Sequence, residues 1–128
     1  MPSATLSIPP GTEHVRTARL VAVTAARRAG LSEETVDDVR LAVSEAVARA
    51  VARHRSAALD TAVEVVVRDE PGLFAVEVVD RTDGTAQHDA EAMSTDLALG
   101  LVRSLAPEVV EDTSPGATVL ALRWPARM

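Results

Sequence analysis

The sequence contains no Cys, no Lys and no Tyr, and only one Trp and one Phe among its 128 residues. Without Cys, a disulfide framework and a thiolate metal site are both excluded. With so few aromatic rings, almost nothing is available for nucleic-acid bases to stack on. All 13 basic residues are Arg, and 19 acidic residues bring the net charge to -6. An acidic surface repels phosphate backbones, so direct nucleic-acid binding is not expected. The three His residues (His14, His54 and His88) show no ligand spacing, and no metal site is expected from them. His54 and His88 read as solvent-exposed helix-end or loop positions. No apolar run approaches the roughly 20 residues of a membrane span, and no basic-then-apolar leader opens the chain. A cytoplasmic location away from membranes is expected.

What is present is ordinary for a folded domain. Hydrophobic residues make up 47% and charged residues 25%, which favours a core over disorder. The length suits one domain, expected to span residues 1–128.

Alternation from Thr5 to Ile8 predicts a short strand, stopped by Pro9-Pro10-Gly11. A helix is predicted from Thr12 to Ala29, with Val15, Ala18, Ala22 and Ala25 on one face and Gly30 as its C-terminal stop. Ser32 has the chemistry of an N-cap, and Glu33 and Glu34 suit the positive end of a helix dipole. The helix that follows carries a stripe of Val36, Val39, Val43, Val47, Ala50 and Val51 and is expected to end near His54 to Ala58. Val63–Arg68 and Leu73–Asp80 predict a hairpin around Asp69-Glu70-Pro71-Gly72. A polar loop from Asp80 to Asp89 leads to a short helix, Thr95–Leu105. Glu108–Thr113 and Ala117–Trp124 predict a last hairpin, whose Pro115-Gly116 fits a type II turn. The order β-α-α-β-β-α-β-β implies an α/β two-layer sandwich: a mixed, mainly antiparallel sheet with helices on one face.

Candidate chemistry gathers at three places. Glu45 and Arg49 lie on the long helix, in Ser44-Glu45-Ala46-Val47-Ala48-Arg49. Asp80 closes a strand and opens a loop containing Gly84. Gly100 interrupts the third helix, and Gly116 and Thr118 open the last strand. Each has a plain structural reading as well. Glu45 and Arg49 can form an ordinary i,i+4 helix pair, or Arg49 can bind phosphate. Asp80 can be a turn-forming strand end, and Gly100 can serve close helix–sheet packing.

Together these stretches resemble the anti-sigma-factor serine kinases, a branch of the histidine-kinase-like (GHKL, Bergerat-fold) ATPases. Leu41–Val47 looks like the family's N-box, Asp80 with Gly84 like its G1 box, Gly100 like the second glycine of its G2 box, and Gly116 with Thr118 like its closing Gly-Thr. The resemblance implies ATP or ADP as ligand, with Glu45 as the general base and Asp80 accepting from the adenine amino group. It also implies that Thr118 lies near the base and that Gly84 and Gly100 allow close backbone approach. Arg49 stands where the family has the Asn that helps hold Mg²⁺, and a guanidinium has no acceptor with which to ligate a metal. Thr82 and Ala98 replace the first glycines of the two G boxes. The function implied is an anti-sigma factor that sequesters an alternative sigma factor, is countered by an anti-anti-sigma protein of the STAS type, and has weak or lost kinase activity. The alternative is an active ATP/Mg-dependent serine kinase phosphorylating that STAS protein. Family members often pair through the first strand and helix, which implies a homodimer.

Overall fold

Ser32 caps the central helix as its chemistry requires: its extended backbone (φ -64°, ψ 156°) lets Oγ accept from the Thr35 amide at 3.2 Å. From that cap α2 runs through Glu33–Ser56. The computed structural model describes residues 3–82 and 89–126, and of 89–95 the backbone alone. Before α2 come β1 (Ser3–Ile8), a 3-10 turn at Thr12–His14 and α1 (Val15–Arg28). After it come β2 (Val63–Glu70), β3 (Leu73–Asp80), α3 (Asp89–Leu105), β4 (Glu108–Ser114) and β5 (Ala117–Pro125).

The linker between α1 and α2 is a tight reversal. Gly30 adopts φ 84°, its amide donates to Arg27 O at 3.1 Å, and the Leu31 amide donates to Ala26 O at 3.2 Å. Paired bonds of this kind end a helix on a left-handed residue, which glycine adopts without a Cβ penalty. The same arrangement ends α2, but there Ala58 holds the left-handed position (φ 54°), with Ala58 N donating to Arg55 O and Leu59 N to His54 O.

The strands form one sheet in the order β1-β2-β3-β5-β4. Every pairing is antiparallel, so the sheet is purely antiparallel where the sequence allowed for a mixed one. Alternation decides which face is dry. Val63, Val65 and Val67 on β2, Phe74, Val76 and Val78 on β3, and Leu120, Leu122 and Trp124 on β5 are buried with Val36, Val39, Val43 and Val47 of α2. The small residues Ala18, Ala22 and Ala26 bring α1 against the same core. The two aromatic rings are cross-strand partners, Phe74 and Trp124, with centroids 6.2 Å apart. Trp124 Nε1 donates to Leu105 O at 3.2 Å, pinning the end of α3 to β5.

Several boundaries differ from the sequence reading, among them β2, which runs on to Glu70 through residues assigned to the turn. β1 starts at Ser3, because pairing with Arg68 rather than side-chain alternation extends it. The first helix begins as a 3-10 turn, and its α-helical part starts at Val15. α3 begins at Asp89 rather than Thr95, since Ala, Glu and Met are good helix formers despite their polar setting.

Candidate functional site

The β3–β5 register sets Asp80 directly opposite Thr118. Both side chains point to the helical side and are buried. The last turn of α2 lies over them, and from it Arg53 reaches down. Arg53 Nε is 3.2 Å from Asp80 Oδ2. Its Nε and Nη2 donate to Thr82 Oγ1 at 3.0 and 2.7 Å, and Nη2 also donates to Thr118 Oγ1 at 3.3 Å.

The remaining valences are taken within the same group. Asp80 Oδ1 accepts from the Thr82 amide at 2.9 Å and from the Thr82 hydroxyl at 2.6 Å. The Thr118 hydroxyl donates to Thr82 O at 2.9 Å. A buried charge is tolerated only when paired and hydrogen-bonded, and Asp80 meets both conditions. Thr82, noted in the sequence as a missing glycine, is a hydroxyl hub that joins the carboxylate to the guanidinium.

One turn earlier on α2, Arg49 is also buried. It does not pair with Glu45 as the i,i+4 spacing allowed. Its Nη2 donates to Glu111 Oε2 of the edge strand β4 at 2.5 Å. Glu111 faces Leu120 across the β4–β5 pairing, and Leu120 is buried on the helical side, so this carboxylate is aimed at α2. The Arg49 Nε is buried and has no hydrogen-bond partner among the described residues. Glu45 is half-buried at an open cleft of about 320 Å³ between α2 and α3, lined also by Arg49, Leu97, Ala98 and Leu101.

Gly100 is exposed on α3, and a Cβ built on it meets nothing within 4 Å. Close packing against the sheet is therefore not its purpose, contrary to the plain reading of the sequence. Gly116 takes φ 81° between Ser114 and Ala117, as a type II turn requires. Gly84 and His88 lie outside the described residues.

His54 corrects the expectation of a solvent-exposed histidine: it is completely buried. Nε2 accepts from the Arg81 amide at 2.8 Å, so the ring proton is on Nδ1, which lies 3.0 Å from Thr61 O. The ring ties the segments entering β2 and leaving β3, both at the open end of that hairpin, to α2, next to Asp80. Its helical spacing from Ala50 and Val51 carried that signal, masked by its polarity.

These residues do not fit a magnesium ion. Arg49 holds the position implied for the metal-binding Asn, and its charge repels a cation. Among the described residues no three acidic or His side chains gather as metal ligands.

The family model for a histidine kinase-like ATPase domain matches residues 8–124. A solved structure with the same fold is that of the RsbU and RsbW domains of Rv1364c from Mycobacterium tuberculosis, at TM-score 0.74 and 20% identity. The superposition covers 99% of this chain and 33% of that one, so the present chain spans a third of its length. Comparison with curated proteins finds no match.

Proposed function

From the premise that the chain belongs to the histidine kinase-like ATPase domain family, we propose that it acts by protein contact, as an anti-sigma factor with weak or lost kinase activity. It sequesters an alternative sigma factor, and a STAS-type anti-anti-sigma protein releases that factor by competition. The observation that carries this reading is that Arg49, which the resemblance sets where the family has its metal-binding Asn, is buried and bound to Glu111. A kinase needs Mg²⁺ to offset charge on the transferred phosphoryl group. Here a fixed cation already neutralised by a carboxylate stands in its place.

Surface features support protein binding. Leu97 (71% exposed) and Leu101 line the α2–α3 cleft, and exposed Leu41 lies one turn before Glu45. β1 is an edge strand, and the groove beside it is lined by Leu20, Val21 and Ala25 of α1. An open edge flanked by apolar side chains suits pairing with a second copy through the first strand and helix.

Affinity purification from the native host, followed by reconstitution with the purified sigma factor, tests the reading. Capture of a sigma factor that rebinds in purified form supports it; the absence of any sigma factor argues against it. An active kinase acting on a STAS protein is the competing reading, favoured by the position of Glu45 at the cleft. Transfer of labelled phosphate from ATP to that protein, abolished by Glu45→Gln, would put the kinase reading first.

A further inference from the structure

The cluster at the end of β3 is complete without a ligand. The Asp80 carboxylate has one oxygen engaged by Thr82 and the other by Arg53. Thr118, its cross-strand partner, accepts from the same guanidinium. Arg53, Asp80 and Thr118 are all at least nine-tenths buried, so this arrangement is part of the core rather than a solvated surface pair. The donors come from a side chain in the last turn of α2, covalently fixed beside the acceptors.

We propose that Arg53 is a built-in occupant of the base position, which closes this chain's site to adenine nucleosides. The inference rests on the reading of Asp80 as the base-recognising carboxylate. An adenine would offer Asp80 an exocyclic N–H, and Arg53 already offers it a charged N–H. A charge-assisted bond is the stronger of the two, and the carboxylate cannot leave it for a neutral amine without stranding a buried guanidinium. Displacement by adenine is therefore unfavourable. The same contacts explain why Thr82 is compatible with the fold where a glycine was expected. Its hydroxyl bridges acid and base. The site is thus converted from a ligand pocket into an internal brace between α2, β3 and β5.

The test is calorimetric titration of the wild-type chain, Arg53→Ala and Arg53→Gln with adenosine, guanosine and ADP, without magnesium. Arg53→Ala vacates the position. Arg53→Gln keeps an amide donor for Asp80 and preserves folding if the alanine variant loses it; cooperative thermal melting reports which variants are folded. The wild-type chain should bind none of the three compounds measurably. The folded variants should bind adenosine and ADP about tenfold or more tightly than wild type, with the alanine variant above the glutamine one where both fold. Guanosine should bind more weakly than adenosine, because in the adenine pose it turns a C6 keto oxygen toward Asp80 where adenine presents an amino group. Adenosine binding by the wild-type chain, or no gain in any folded variant, would overturn the proposal. Sigma-factor capture by wild type, scored alongside, separates the two readings: its failure removes the anti-sigma role and leaves the closed site standing.

Discussion

Arg53 Nε sits 3.2 Å from Asp80 Oδ2, and the two side chains are only 7% and 3% exposed. The pair links the last turn of α2 to the end of β3, residues 27 apart in sequence. Desolvation offsets most of the attraction in such a pair, so its presence adds little net stability. Removing one member is a different matter, because the other is left charged and buried.

Breaking the pair should therefore be costly from either side. Arg53→Met or Asp80→Asn should each lower the unfolding free energy by about 3–5 kcal/mol, read from urea titrations. The double variant should lose less than the sum of the two, by about 1–3 kcal/mol. Additive losses would mean that the contact carries no coupling.

Arg49→Asn restores the family's metal-binding residue type but leaves Arg53 on Asp80. This variant alone should not gain magnesium-dependent ATP binding. The double variant Arg49→Asn/Arg53→Ala should gain it. Calorimetry with ATP, with and without Mg²⁺, distinguishes the two.

Gly100 lies inside α3 with open space where a Cβ would go. Gly100→Ala should stabilise the chain by about 0.5–1 kcal/mol, since glycine in a helix interior has excess freedom to lose. Thermal or urea unfolding measures it, and sigma-factor capture should be unchanged.

Ala58 carries the left-handed turn after α2 at φ 54°. A Cβ there is strained, and Ala58→Gly should raise stability by about 0.5–1 kcal/mol after the entropy loss of glycine is counted. A fall in stability would show that the Cβ contacts outweigh the backbone strain.

Much of this architecture is legible in the sequence, for local physical reasons. The Ser32 cap, the apolar stripe of α2 and the Pro-Gly turns at 71–72 and 115–116 each announce a boundary through residues that tolerate few alternatives. The nearness of Asp80 and Thr118 is implied by the family resemblance alone, because alternation within a strand does not say that β3 pairs with β5. What the sequence hid was the partner of each buried charge. Arg49 and Arg53 read as lying largely off the apolar stripe of α2, yet both are buried, and the acceptors of Arg53 lie on β3, on β5 and at Thr82. The spacing of three residues from Arg53 to Ala50, inside the apolar stripe, was the available clue. Glu111 had no such signal, because facing inward from an edge strand depends on register. Arg49 shares a helical face with Glu45, yet the pair does not form, because Glu111 approaches from the sheet.

The most direct measurement is transcription by RNA polymerase carrying the captured sigma factor, with the purified chain added in the presence and absence of MgATP. The account predicts stoichiometric inhibition of equal strength in both conditions, relieved by the cognate STAS protein without its phosphorylation. Inhibition that depends on MgATP, or no inhibition at excess chain, would contradict it.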